Sequence, residues 1–293
     1  MLSFITFAAM FVQATLGDKL SGRIAFVSNI SGNWDLWVVN PDGTGLRQLT
    51  DTPIDERCPS WSPDGREIVY STNDGNLRII KADGSDPKML QLNFEDEESR
   101  IRNNNHPSWS PDGKRILFVS FDIKEDDSDI WLVNTDGTGL RRLVLQKDIQ
   151  TNPSWSPEGR RIIYSSAVYG PDFRIIQDLW LIRLDSRGAK RILANDAANV
   201  QAEWSPDGTK IAFASDKTGN MEIWVMDING KNPIQITNNK GYDADPCWSP
   251  DGRHLAFVSN RTGNMQIWIV DVDGNNLRQL TSSGECKDPA WGP

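Results

Sequence analysis

The sequence is poor in the residues on which most catalytic and metal centres depend. Its 293 residues include only two histidines, His106 and His254, and three cysteines, Cys58, Cys247 and Cys286. Histidine is the side chain that normally titrates near neutral pH, so few groups are available for acid–base catalysis. The cysteines show no CxxC spacing and no paired histidine, which leaves a zinc site unsupported. Their odd number leaves at least one thiol free if the monomer forms a disulfide.

Positive charge is also scarce. The chain has 31 Lys and Arg residues against 40 Asp and Glu residues, and its formal net charge is −9. An acidic field of this kind repels the phosphate backbone of nucleic acids. We therefore predict no nucleic-acid partner.

Long uncharged stretches are missing except at the N-terminus. No charged side chain precedes Asp18, and "VQA" at residues 12–14 resembles the small-residue pattern before a signal cleavage site. The positively charged start that such signals carry is absent. We interpret residues 1–17 as a signal peptide or apolar leader, the alternative being an apolar segment packed on the domain. No other stretch has the length of a membrane span, so the exported protein is not expected to span a membrane.

What the sequence does contain is a repeat. The block W-S-P-[DE]-G recurs five times and a clipped version, "AWGP", ends the chain; the six blocks start at Trp61, Trp109, Trp155, Trp204, Trp248 and Trp291. Their successive spacings of 48, 46, 49, 44 and 43 residues match a four-stranded propeller blade better than a helical repeat.

Each unit has the composition of four short strands joined by turns. In the last complete unit, alternating runs such as "RHLAFVS" and "MQIWIVDV" are separated by "NRTGN" and "DGNN", which is the signal of β-hairpins. Within the block, Pro presets φ, Asp bonds its own backbone and Gly accepts positive φ, so a turn explains the repeated carboxylates without catalysis. A second tryptophan, at Trp37, Trp131, Trp180, Trp224 and Trp268, is predicted to pack between blades, with Arg78 in its place in unit two.

The incomplete units at the two ends complement each other. The first unit begins at "GRIAFVS" without a W-S-P strand, and the C-terminus supplies "KDPAWGP" alone. We predict an all-β fold: one six-bladed β-propeller over residues 22–293, its ring closed by the C-terminal strand joining the N-terminal blade. Closure of this kind removes exposed sheet edges.

The motifs "PxWSPDGxxIxFxS" and "IWxxDxDGxxxxLT" resemble the WD40-like (PD40) repeats of the TolB family. The resemblance covers residues 22–293, with only about twenty residues before the first strand, and implies a propeller without the N-terminal α/β domain of that family. It also implies a periplasmic or extracellular location and a role in the cell envelope, with a Pal-like lipoprotein as a candidate partner. No G-x-S-x-G elbow of the associated peptidases is present.

Counting back from each block tryptophan identifies two polar rings. Three residues before it lies the ring we call proximal: Cys58, His106, Asn152, Gln201, Asp245 and Asp288. Five residues before it lies the ring we call distal: Glu56, Asn104, Gln150, Asn199, Asp243 and Cys286. Both rings share strand parity, so both are predicted to line the channel mouth and to bind a protein or peptide partner.

Three alternatives to partner binding stay open at this point. The channel could hold only water, or the protein could be a structural scaffold. Glu56, Asp243, Asp245 and Asp288 on consecutive blades could instead hold Ca²⁺, which prefers oxygen ligands. That site would suit a metal-dependent lyase or hydrolase acting on sugars or lactones.

We expect no catalysis, because His106 has no paired nucleophile at a comparable position. We also expect a monomer with no resident cofactor. His254 aligns with Glu67, Arg115, Arg161 and Lys210 on the second strand of each unit. Alternation along that strand predicts that His254 faces solvent.

Overall fold

The computed structural model describes residues 20–94, 102–122, 127–144, 148–169, 175–185 and 188–293. The predicted signal peptide or leader, residues 1–17, lies outside these ranges. In the described part of the chain every regular element is a β-strand. The same residues include no helix with the length and apolar character needed to cross a bilayer.

The strands form six antiparallel four-stranded sheets, which confirms the predicted six-bladed propeller. Blade 1 joins the two ends of the chain and reads, from the innermost strand outward, β24 (Cys286–Gly292), β1 (Arg23–Ser28), β2 (Asp35–Val39) and β3 (Arg47–Gln48).

The other five blades each use four consecutive strands, ordered from the innermost outward. Blades 2 and 3 comprise β4 (Glu56–Trp61), β5 (Glu67–Thr72), β6 (Leu77–Lys81) and β7 (Lys88–Met89), then β8 (Arg102–Trp109), β9 (Arg115–Asp122), β10 (Asp127–Asn134) and β11 (Arg141–Arg142). Blades 4 and 5 comprise β12 (Ile149–Trp155), β13 (Arg161–Tyr169), β14 (Ile175–Arg183) and β15 (Ala189–Leu193), then β16 (Asn199–Trp204), β17 (Lys210–Ser215), β18 (Glu222–Asp227) and β19 (Ile234–Gln235). Blade 6 comprises β20 (Asp243–Trp248), β21 (His254–Ser259), β22 (Gln266–Asp271) and β23 (Arg278–Gln279).

The W-S-P-D-G blocks are turns, as their composition predicted. In blade 2 the Ser62 hydroxyl donates to Asp64 Oδ1 at 2.7 Å, and the Arg66 amide donates to the same oxygen at 3.1 Å. Gly65 has a φ of 67°, which a side chain with a Cβ rarely adopts. The repeated carboxylate therefore holds the hairpin between the first two strands of a blade.

In the five units that have it, the second tryptophan packs against the preceding blade. Trp268 of blade 6 belongs to a buried cluster that contains Ala212 and Ile223 of blade 5, and Trp37 of blade 1 packs on a cluster that contains Ala256 and Val258 of blade 6. Most of the apolar core therefore lies between blades, where burial of large aromatics stabilises the ring most.

The second-strand position of His254 does not face solvent, so that prediction was wrong. At the equivalent positions Arg115 stacks on Trp155 and Arg161 on Trp204 of the next blade, with guanidinium carbons 5.1 and 4.6 Å from the ring centroids. His254 lies 6.5 Å from the Trp291 ring in the same arrangement. These side chains join neighbouring blades through cation–π and ring contacts, which alternation within one strand cannot reveal.

Candidate functional site at the central channel

Every innermost strand contains a β-bulge at the residue of the proximal ring. Cys58, His106, Asn152, Gln201, Asp245 and Asp288 have φ values between 47° and 55°. The pairing register shifts at the same place in each blade, for example between Arg57 and Ser60. A left-handed conformation costs an ordinary residue about 1–2 kcal/mol and is easiest for Asn and Asp. The same local strain thus recurs six times around one axis.

The bulges direct the proximal ring into one cavity on the propeller axis. The cavity has a volume of about 310 Å³, and all six proximal residues line it. Its remaining wall consists mainly of five of the block tryptophans and of the prolines that directly follow the proximal residues in five blades: Pro59, Pro107, Pro153, Pro246 and Pro289. The structure therefore brings these six positions together from residues as far apart as 58 and 288.

Side chains of the proximal ring satisfy the backbone of the next blade. Asp288 Oδ2 accepts a hydrogen bond from the Cys58 amide at 2.9 Å, and Gln201 Oε1 accepts one from the Asp245 amide at 3.1 Å. The Cys58 sulfur in turn accepts from the His106 amide. The bulges leave these backbone amides without a partner in the neighbouring strand, and the side chains of the adjacent blade accept their hydrogen bonds instead.

Burial suppresses charge in this cavity. Burial and the neighbouring Asp288 raise the pKa of Asp245 to about 8. Burial also raises the pKa of the Cys58 thiol well above its ordinary value and lowers the pKa of His106. At neutral pH the cavity thus holds a thiol, a neutral imidazole and a largely protonated carboxyl group. A reactive cysteine needs a lowered thiol pKa, and here the shift has the opposite sign.

The distal ring does not line this cavity, so the prediction that both rings share one face was wrong. All six distal side chains are buried, with at most 6% of each residue's surface exposed: Glu56, Asn104, Gln150, Asn199, Asp243 and Cys286. The bulge lies between the two rings and reverses the alternation of side chains on which the prediction rested.

Local partners hold the distal side chains in place. The hydroxyls of Thr50 and Thr52 each donate to Glu56 at 2.9 Å, and Asn199 donates to the carbonyl of Gln177 at 3.0 Å. Asp243 accepts from Arg261 at 2.5 Å. Burial raises the pKa of Glu56 to about 7 and also raises the pKa of Asp243. These groups stabilise the loops that enter each blade.

One residue of the cavity wall was missed by the sequence analysis. Glu203 lines the cavity in the place where blade 2 has Ser60. The Ser60 hydroxyl accepts a hydrogen bond from the Trp109 amide at 3.1 Å, and the Glu203 carboxylate accepts from the Trp248 amide in the same way. Burial raises the pKa of Glu203 to about 8. The signal in the sequence is the position directly before each block tryptophan, where Glu203 replaces the serine found in blades 2, 3 and 4.

The four carboxylates considered as a calcium site are not brought together. Asp245 and Asp288 line the cavity, whereas Glu56 and Asp243 lie in separate buried networks. Over the described ranges, no three His, Cys, Asp or Glu side chains are arranged so that they could share a metal ion.

Comparison with known proteins confirms the resemblance seen in the repeats. Residues 174–293 match the family model of the TolB beta propeller domain (PD40). The Tol-Pal system protein TolB of Nitratidesulfovibrio vulgaris is 38% identical over 65 residues, which are 22% of this chain and 15% of that protein. The TolB of Anaeromyxobacter sp. (strain K) is 31% identical over 123 residues, or 41% of this chain and 26% of that protein. The match thus spans about a quarter or less of these relatives' length.

Solved structures share the fold over nearly the whole chain. TolB from Acinetobacter baumannii aligns with a TM-score of 0.79 at 22% identity, covering 94% of this chain and 67% of that one. A putative TolB from Agrobacterium tumefaciens aligns with a TM-score of 0.73 at 23% identity, covering 93% and 99%. Oligogalacturonate lyase in complex with manganese aligns with a TM-score of 0.63 at 13% identity, covering 89% and 74%. The chain is therefore a six-bladed β-propeller whose fold resembles that of TolB, and its residues 174–293 match the PD40 model.

Proposed function

We propose that this protein is a noncatalytic propeller that binds a protein or peptide partner at the mouth of its central channel. The observation that carries the proposal is the convergence of six bulged, strained and mostly polar residues on one cavity of about 310 Å³. Strain at the same place in six blades persists only where the surrounding structure enforces it, and such strain clusters at binding sites. The cavity has the size of a small ligand site, sufficient for one or two side chains of a partner.

The likeness to TolB suggests the class of partner and its location. Relatives are named as Tol-Pal system proteins, which supports a Pal-like lipoprotein as the partner in this chain. It also supports a location in the periplasm or outside the cell, with residues 1–17 as the export signal. We expect a monomer, because the ring closes on itself through strands of one chain.

Electrostatics in the cavity supports binding over catalysis. The raised pKa values of Cys58 and Asp245 leave no activated nucleophile. Proteins with enzymatic titles share this fold, but at 13% identity the likeness of the lyase extends to architecture alone. The alternative, a metal-dependent lyase or hydrolase, is less well supported, because the four carboxylates considered as its metal ligands do not converge in the described part of the chain. We expect neither a cofactor nor Ca²⁺ in the channel.

The proposal is tested by capture of partners from an envelope extract on immobilised protein. Asn152 lines the cavity, so Asn152→Lys should fill part of it and remove the captured partner. Asn152→Asp preserves size and backbone preference and serves as the matched variant. Arg66→Glu controls for charge, since the Arg66 side chain is 85% exposed in a turn outside the cavity wall. Equal capture by wild type and Asn152→Lys, with both proteins folded, would contradict the proposal.

A further inference from the structure

A second cavity adjoins the channel at the rim of blades 1 to 3. It has a volume of about 520 Å³, and we call it the rim cavity; it is lined by residues that include Trp34, Arg57, Asn73, Asn105, His106 and Lys287. Cys58, His106 and Asp288 border both the rim cavity and the channel. A partner seated at the channel mouth would therefore reach both spaces.

The rim cavity lies where one position of the repeat is polar or charged, whereas the same position is apolar on the other side of the ring. Four residues before the block tryptophan, blades 5 and 6 have Val200 and Ala244, which pack into the apolar core between those blades. Blades 1, 2 and 3 have Lys287, Arg57 and Asn105 at the same position. Charged and amide groups cannot fill an apolar core without a large desolvation cost, so the space beside them stays open.

The two cations of the rim cavity differ in what surrounds them. The Lys287 ammonium lies 4.2 Å from the centroid of the Trp34 ring, which fixes it at the cavity wall. Arg57 is exposed and forms no ion pair with any residue that the structure describes. Its planar guanidinium is suited to a bidentate contact with a carboxylate.

The acidic groups of this wall are already engaged. Asp288 accepts the Cys58 amide at 2.9 Å, and Glu56 is held by the hydroxyls of Thr50 and Thr52. Burial also raises the pKa of Glu56 to about 7, which reduces its negative charge. The acidic groups of the wall thus already have hydrogen-bond partners, whereas the exposed Arg57 guanidinium is available to pair with an anionic group of a ligand.

We propose that the rim cavity binds an acidic side chain of the peptide or protein partner, with Arg57 and Lys287 as the residues that select the carboxylate. This inference rests on the proposed function and names the chemistry that the partner presents. A peptide is favoured over an acidic sugar because Lys287 covers one face of the Trp34 ring and the ring also packs against the buried apolar cluster between blades 1 and 2, which leaves little aromatic surface for a sugar.

The test is affinity selection from a random peptide library of the form acetyl-XXZXX-amide, in which Z is Asp, Glu, Asn or Gln. The wild type should enrich acidic over amide peptides by about tenfold, as expected for one charge-assisted contact. The double variant Arg57→Gln/Lys287→Gln should lose this preference. Arg57→Lys/Lys287→Arg, which keeps both charges, should retain most of it.

Controls separate charge selection from loss of structure. Arg66→Gln removes one exposed cation of the turn beside Gly65 and should leave the preference unchanged. Each variant is checked by thermal unfolding. Equal enrichment of Asp/Glu and Asn/Gln peptides by folded wild type would overturn the proposal, as would full retention of the preference in the double variant. Saturable binding of digalacturonate without acidic-peptide enrichment would assign the cavity to a sugar and also overturn it.

Failure of this inference is distinguishable from failure of the proposed function. If partner capture depends on Asn152 but the library shows no acidic preference, the channel binds a partner that presents no carboxylate to the rim cavity. If acidic peptides are selected but capture ignores Asn152, the rim cavity binds its ligand independently of the channel.

Discussion

Deletion of residues 287–293 should abolish cooperative folding, because the last strand of the chain is the innermost strand of the first blade. β24 pairs with β1 from Ser28↔Cys286 to Arg23↔Gly292. The Trp61 indole donates to the Ala290 carbonyl at 3.1 Å, and Trp291 packs in the cluster that joins blades 6 and 1. The deletion therefore exposes one face of two neighbouring blades.

The magnitude can be bounded from a single side chain. Truncation of a core Trp to Ala costs about 3–5 kcal/mol, and Trp291, which is half-buried, belongs at the lower end. About 3 kcal/mol corresponds to a fall in Tm of roughly 6–12 °C for Trp291→Ala. Loss of the whole strand adds its ladder and interblade contacts, and domains of ordinary stability have only about 5–15 kcal/mol to lose.

Calorimetry on three chains measures this effect. The first is the full chain, the second lacks residues 287–293, and the third is a circular permutant that begins at Cys286 and joins residues 293 and 20 through a short linker. The permutant contains every strand and makes blade 1 continuous, so it should unfold cooperatively, whereas the truncated chain should not. A truncated chain with the Tm of the full chain would refute ring closure by β24.

Two further predictions concern the channel and the closing strand. Burial raises the pKa of both Asp245 and Glu203 to about 8. Carboxyl groups in unfolded chains titrate near pH 4. The stability that the two protonated groups contribute is therefore fully present below about pH 4 and is lost as the pH rises from about 4 towards 8. The Tm should therefore fall as the pH rises from about 5 to about 8, by about 2–4 °C for each kcal/mol lost, and level off above that pH. Asp245→Asn/Glu203→Gln should flatten this part of the profile, and an unchanged slope in that variant would contradict the shifts. Gly292→Ala would drive a Cβ into the Trp61 ring, so it should destabilise the protein by about 1–3 kcal/mol in chemical denaturation. Unaltered stability would contradict the close packing of the closing strand on Trp61.

The repeat carried almost all of the information on the fold. Six tryptophans at spacings of 43–49 residues and complementary ends were sufficient to predict six blades and their closure. The turn chemistry of W-S-P-D-G was readable because the same few residues satisfy the same φ values each time.

The site was predicted less well, because its geometry depends on a bulge. Strand alternation placed Glu56 beside Cys58 on one face, but the bulge at Cys58 separates them. Residue types gave only a partial hint: Asn152, Asp245 and Asp288 tolerate positive φ, whereas Cys58 and Gln201 do not favour it. The rim cavity depends on contrasts between blades, such as Arg57 against Val200, which become meaningful only when the ring is assembled.

Site-specific photocrosslinking tests the central claim, partner binding at the channel mouth, most directly. Benzoylphenylalanine is introduced at position 152, which lines the channel cavity, or at position 66, whose side chain is 85% exposed outside that cavity's wall. Irradiation in the cell envelope should give one discrete crosslinked species from position 152, identifiable by mass spectrometry, and none of that mass from position 66. The same products from both positions, or none from position 152 in folded protein, would contradict the account.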